Sequence, residues 1–320
     1  MDKDILIKVE NLSRYYGHFC AVDNISFELA RGEVLGFLGP NGAGKSTTMQ
    51  IISGNLAPSA GRVSINGFDI LDAPRQAKAS LGYLPEQPPL YKELSVDEYL
   101  LFCARLNRIP KSHIREAMAR ARARCGLEEV AHRLIMNLSK GYQQRVGIAQ
   151  AIIHSPEVVI LDEPTVGLDP NQIREIRQLI RELGNDHGVI LSTHILPEVQ
   201  ATCDRVQIIN KGRLALNDTL AGLNARMRAN TLTVAFRQAP DIATLLGVAG
   251  VEAVDALQDN HFAVHINANS NPAEAISKLA VEHDWGLLEL MPQRVSLEQI
   301  FMDITCKDDF QSDMDEAANA

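Results

Sequence analysis

With 320 residues, 46% of them apolar, the chain can bury a full core, which excludes disorder as its dominant state. A formal net charge of −9 argues against nucleic acid or an anionic membrane surface as the main partner, since both select clustered positive charge. The five cysteines, Cys20, Cys103, Cys125, Cys203 and Cys306, show neither C-x-x-C spacing nor histidines at zinc-finger spacing, which points to unpaired thiols in a reducing compartment rather than to zinc.

The opening stretch MDKDILIKVE carries two aspartates and no apolar leader core, and no apolar run approaches the ~20 residues that cross a bilayer, so a soluble chain is expected. From residue 5 to about 217, short β-branched runs mix with long amphipathic stretches, the pattern of an α/β domain with a largely buried sheet. The first candidate strands are Leu6–Val9 and Val34–Leu38. The second runs straight into Gly39-Pro40-Asn41-Gly42-Ala43-Gly44-Lys45-Ser46-Thr47, which fits G-x-x-x-x-G-K-[ST], with a helix expected to follow as far as about Gly54. The glycines let successive N–H groups face one concavity, and the helix adds its positive dipole end. The pattern predicts a nucleoside triphosphate site, with Lys45 at the β- and γ-phosphates, Ser46 on Mg2+ and Thr47 by the α-phosphate.

Val63–Ile65 is a further candidate strand, and between Ser95 and Glu129 the sequence turns strongly helical. Ser95 can cap this segment while Glu98 reaches back to complete a capping box. The segment reads as an insertion, part of a helical subdomain covering about residues 95–155. Within it, Leu138-Ser139-Lys140-Gly141-Tyr142-Gln143-Gln144-Arg145 leads into another helix; a serine, a small glycine and a helix N-terminus form a second anion site. Val158–Leu161 then delivers Asp162 and Glu163 at a strand end, where ligands of parallel sheets bind. Asp162 suits a Mg2+ shell, and Glu163 can act as general base toward an attacking water. Val189–Ser192 and Val206–Asn210 complete the sheet.

After a helix near residues 218–228, a second unit is expected over residues 218–303: strand 231–236, helix 240–246, strands 251–256 and 261–266, helix 272–282, strand 286–290 and helix 296–303. That β-α-β-β-α-β order is ferredoxin-like. His261, His265 and His283 are scattered through it without a catalytic grouping, so bracing or dimer contact is the expected role. Residues 304–320 form an acidic stretch with five acidic residues after Lys307, expected to fray.

Taken in order, these motifs resemble those of the ABC ATPase family. Its usual signature is LSGGQ; this chain keeps Leu138, Ser139 and Gly141 but has Lys140 and Tyr142 where glycine and glutamine are commoner. The resemblance implies a P-loop NTPase fold with an antiparallel β subdomain and a helical subdomain. It also implies a head-to-tail dimer in which ATP lies between one subunit's phosphate loop and the other's Ser139 and Gly141. By the same resemblance, Tyr16 stacks on adenine, Asp169 of Gly167-Leu168-Asp169 contacts the opposite subunit, and His194 holds the γ-phosphate and attacking water. Each has an ordinary alternative: a core aromatic, a helix-capping aspartate before Pro170, and a solvated strand-end histidine. In the segment Gly82–Tyr91 the family's glutamine aligns best with Glu86, and Gln87 comes one residue later. An acidic oxygen there can still join a Mg2+ shell.

A lone cassette with Glu86, a Ser-Lys-Gly-Tyr signature and an extension ending in Ser296-Leu297-Glu298-Gln299-Ile300-Phe301 looks like the ATPase of ABC-2-type exporters. That likeness implies a transmembrane permease as partner, docking at residues 95–129 and the Glu86 loop, with attachment to the cytoplasmic face of the membrane through that partner alone. A non-transport ABC ATPase would share every motif, although such proteins usually carry paired cassettes or long coiled coils. A nucleotide kinase would share only the Lys45 loop.

Overall fold

Apolar runs at residues 34–38, 158–162 and 188–193 become strands in which every residue is buried, and these runs organise the first of two compact units, Met1–Leu220 and Ala221–Ala320. A computed structural model describes residues 4–226, 231–267, 270, 272–293, 297–302 and 304. The first unit extends beyond residue 217 because Asp218 and Thr219 still pair with Val206 and Arg205 in an antiparallel ladder.

In chain order the first unit contains β1 (Ile5–Tyr16), β2 (Phe19–Ala30), β3 (Val34–Leu38), α1 (Lys45–Ile52), β4 (Ala60–Ile65), β5 (Phe68–Asp69), α2 (Pro74–Ala79) and β6 (Leu81–Leu84). The helices α3 (Val96–Leu106), α4 (Lys111–Cys125) and α5 (Lys140–Ile152) follow, then β7 (Val158–Asp162), α6 (Pro170–Gly184), β8 (Gly188–Thr193), α7 (Leu196–Thr202), β9 (Arg205–Asn210) and β10 (Arg213–Thr219). One antiparallel sheet has the order β2-β1-β4-β5. The other has the order β10-β9-β3-β8-β7-β6 and is parallel except for β10. β1 is longer than the expected Leu6–Val9, because pairing with β2 continues to Tyr16↔Phe19.

The two sheets share one core. Ile25, Phe27 and Leu29 of β2 pack with Leu35 and Phe37 of β3, Ile160 of β7 and Ile190 of β8, and the Phe27 and Phe37 rings lie 5.7 Å apart. Each such side chain, fully buried, contributes roughly 1.5–3 kcal/mol, which holds the parallel strands rigid beneath the loops at their ends. The capping box on α3 is complete: Glu98 Oε2 accepts from Ser95 N at 2.8 Å, and Ser95 Oγ accepts from Glu98 N at 3.3 Å. The expected helical stretch is thus two helices, and Pro110, which cannot donate to a helical ladder, caps the second. Among the described residues, no helix is long and apolar enough to cross a membrane.

The second unit begins with α8 (Leu220–Arg226), of whose expected span residues 227–228 lie outside the described residues. It continues with β11 (Thr231–Phe236), α9 (Ile242–Leu246), β12 (Val251–Ala256), β13 (His261–Ile266), α10 (Ala273–Glu282) and β14 (Leu287–Gln293). The sheet order β12-β13-β11-β14, antiparallel throughout, is the ferredoxin-like arrangement. Phe236 packs against Phe262 and, edge-on, against Trp285. His265 bonds Thr231 Oγ1 and Asp255 Oδ2, and His283 stacks on Trp285, so both serve the local structure. Of the expected last helix, residues 297–302 are helical, while Ser296, Asp303, Cys306 and the acidic stretch from residue 305 lie outside the described residues.

A buried histidine, His187, and a half-buried one, His154, sit beside the start of β7. His187 Nε2 accepts from Arg124 at 3.0 Å, so Nδ1 carries the proton donated to the Pro156 carbonyl at 2.6 Å. Burial holds His187 below its ordinary pKa, with Arg124 adding to the effect, and burial does the same to His154. A depressed histidine lends stability that is complete above ~6.5 and lost as the pH falls through its folded pKa. Thermal unfolding scans should therefore show Tm falling between about pH 7.5 and 5.5, and His187→Gln should make that fall smaller.

Candidate nucleotide site

Phosphate-loop geometry begins where β3 ends. Gly44 caps α1 at φ +106°, and an added Cβ would lie 2.4 Å from the Ala21 carbonyl, so the position needs glycine twice over. The loop borders a cavity of about 500 Å³. It is lined by Asn41, Gly42 and Gly44–Thr47 of the loop, by Tyr16 and Phe19, and by Glu86, Glu163, Val166 and His194. Gln87 is not among the lining residues, so Glu86 is the one of the pair that borders the cavity. Gly39, Pro40 and Ala43 lie behind the surface: Ala43 is buried, and the carbonyls of Gly39 and Pro40 accept from Lys45 Nζ at 2.9 and 3.1 Å.

Three strand ends meet at Glu163. Its residue sits at φ +49°, an uncommon left-handed conformation for a side chain this long, held by the bond from Glu163 N to the Ser192 carbonyl at 2.8 Å. Glu163 Oε1 accepts from His194 Nδ1 at 2.8 Å and lies 3.9 Å from Lys45 Nζ. Asp162, still in β7, accepts from Ser192 Oγ at 2.7 Å. Burial raises the Asp162 carboxyl above its ordinary pKa, and the neighbouring Glu163 and Glu86 add to this, against the lowering bond from Ser192. Burial lowers the Lys45 ammonium more than the nearby carboxylates raise it.

The donors suit Mg2+. Asp162, buried and not itself among the lining residues, is a hard oxygen ligand whose ionised form gains from a cation, and Ser46, which does line the cavity, offers a hydroxyl. Among the described residues, no group of three or more His, Cys, Asp or Glu could hold a metal ion.

Ser139, Gly141 and Asp169 do not line the cavity. Ser139 caps α5, its Oγ accepting from Tyr142 N at 3.3 Å. Gly141 lies so close to α6 that an added Cβ would come 2.6 Å from the Gln172 side chain. Asp169 caps α6, accepting from Asn171 N and Gln172 N, both at 3.0 Å. Phe19 escaped sequence reasoning; its signal was an exposed aromatic three residues after Tyr16, across the Tyr16↔Phe19 turn.

A family model described as ABC transporter matches residues 22–166. The linearmycin resistance ATP-binding protein LnrL of Bacillus subtilis (strain 168) is 33% identical over 94% of this chain and 98% of its own. CbiO1 from Clostridium perfringens, part of the ABC transporter complex CbiONQ, is 34% identical, with a TM-score of 0.63 over 70% of this chain and 92% of its own. The dimeric structure of MJ0796, a bacterial ABC transporter cassette, is 25% identical, with a TM-score of 0.61 over 67% of this chain and 99% of its own.

Asp162→Asn keeps an acceptor for Ser192 and removes a buried charge. Because folding raises the Asp162 pKa, its stabilising contribution is greatest at low pH and lost as the pH rises through the folded value, so at neutral pH the charge destabilises the fold. The nucleotide-free variant should match or exceed the wild-type Tm, by up to about 2–4 °C if ~1 kcal/mol is relieved, while Mg2+-dependent ATP hydrolysis falls. Differential scanning calorimetry and a phosphate-release assay check the two halves.

Proposed function

We propose, since the chain belongs to the family of ABC transporter ATP-binding proteins, that it is the motor of an exporter, working as a head-to-tail dimer with a separate transmembrane permease. As an ABC ATPase it binds and hydrolyses ATP. The observation that carries the dimer is an incomplete cavity: one chain supplies the phosphate loop, Glu163 and His194, but not Ser139, Gly141 or Asp169. A second copy facing the first would bring the N-terminus of α5 over the γ-phosphate, where its N–H groups and dipole favour negative charge. The dimeric MJ0796 cassette supports this pairing. CbiO1, as part of a transporter complex, supports a permease partner, and the linearmycin resistance protein supports export. Residues 95–129 and the Glu86 loop form the docking side, and the permease carries the contact with the cytoplasmic face of the membrane.

In this reading Tyr16 and Phe19 stack on the base. Lys45 leaves the Gly39 and Pro40 carbonyls for the β- and γ-phosphates. Ser46 and Asp162, together with Glu86, would hold Mg2+, which would supply positive charge to the phosphate oxygens. Glu163, turned into the cavity by its left-handed backbone, takes the proton of the attacking water. His194 orients Glu163 through Nδ1 and points its other edge to the γ-phosphate. Asp169 keeps its capping bonds and meets the opposite subunit by its exposed edge.

Size-exclusion chromatography with light scattering, run on wild type and Glu163→Gln, tests the reading. The variant should form a dimer only with ATP present and lose hydrolysis by about 100-fold or more. Hydrolysis by a monomer, indifferent to the substitution, would overturn both the dimer and the base.

A further inference from the structure

Glu198, in the first turn of α7, is a second glutamate sealed inside the hydrolytic centre, at 1% exposure. Both carboxylate oxygens are taken by hydroxyls: Oε1 accepts from Thr165 Oγ1, and Oε2 accepts from Thr193 Oγ1 at 3.0 Å. Those threonines are themselves buried, at 2% and 0% exposure. Among the described residues, Glu198 has these hydroxyls and no ion pair. A buried carboxylate without a cation costs stability that an amide or an apolar side chain of the same size would not.

Its two partners belong to the segments that carry the chemistry. Thr165 lies two residues beyond Glu163 in the loop leaving β7, and Thr193 immediately precedes His194 at the end of β8. The Thr193 hydroxyl has one proton and two carboxylates to give it to, Glu198 Oε2 at 3.0 Å and Glu163 Oε2 at 3.4 Å, while its lone pair accepts from Ile195 N at 3.1 Å. The nearer carboxylate takes the proton. Glu163 Oε1 is already engaged by His194, so Oε2 is the oxygen left to receive a proton from water. A hydrogen bond donated to that oxygen would stabilise the charged carboxylate and weaken it as a base.

We infer that Glu198 is a positioning residue for ATP hydrolysis, holding the Thr165 loop against the end of β8 and keeping the Thr193 proton away from Glu163 Oε2. The inference rests on Glu163 being the base. Removing the Glu198 acceptor leaves Glu163 as the nearest home for the Thr193 proton, and removing that hydroxyl as well takes the interference away.

The experiment is steady-state hydrolysis by the full-length protein, with thermal unfolding alongside, for Glu198→Met, Glu198→Leu, each combined with Thr193→Val, and Glu163→Gln. Either Glu198 substitution should lower kcat about tenfold or more with KM for ATP within about twofold, and adding Thr193→Val should restore most of the loss. The leucine variant also offers no acceptor, and it carries the test if the methionine variant does not fold. Wild-type kcat in a folded Glu198 variant overturns the inference, and so does a double variant no faster than its parent, the outcome of a merely structural role. Glu163→Gln separates the two readings: if it still hydrolyses ATP, the base assignment fails; if it does not while Glu198→Met keeps the wild-type kcat, only the role of Glu198 fails.

Discussion

Glu163 Oε1, 2.8 Å from His194 Nδ1 and 3.9 Å from Lys45 Nζ, joins the ends of three neighbouring strands in one contact. The contact exists only while β3, β7 and β8 keep their register, in which Leu38 lies beside Thr193 and Asp162 beside Ser192. A slip of one residue would turn each side chain to the opposite face of the sheet. Fully buried strands resist that slip, because every residue in them loses apolar contact if it moves. The apolar core is thus what gives the polar residues their precision.

That precision carries a cost in stability. Lys45 and Asp162 are both pushed toward their neutral forms by burial, and Glu163 keeps a left-handed backbone. Such features persist where surrounding structure over-determines them. A nucleotide would bring negative charge to Lys45 and its cation positive charge to Asp162, so binding would offset part of what the fold gives up. Among its described residues the second unit shows no comparable concentration of buried charge; its core is aliphatic with Phe236, Phe262 and Trp285 packed together, and His265 and His283 are spent on local contacts.

The phosphate loop and the Asp162-Glu163 pair were readable because each is a contiguous stretch tied to an apolar strand. The capping box at Ser95 and the order of elements in the second unit were readable for the same reason: both depend on neighbours in sequence. β2 was readable but passed over, since Ile25, Phe27 and Leu29 alternate with period two. β10 was harder: its residues alternate between half-buried and exposed, and pairing with β9 defines it.

Sequence alone determined the nucleotide chemistry, because a loop of fixed spacing, a strand-end carboxylate pair and a capped signature helix are local devices. Tertiary structure decided which of these devices meet. It placed Glu86 rather than Gln87 on the cavity, kept Ser139 and Gly141 off it, and brought Phe19 beside Tyr16. It also enclosed Glu198 between Thr165 and Thr193, 33 and 5 residues away. Except for the Tyr16–Phe19 turn and the Thr193–Glu198 bond, which are local, those outcomes depend on distances through space between segments far apart in the chain, and partners at that range leave no periodicity or spacing to read.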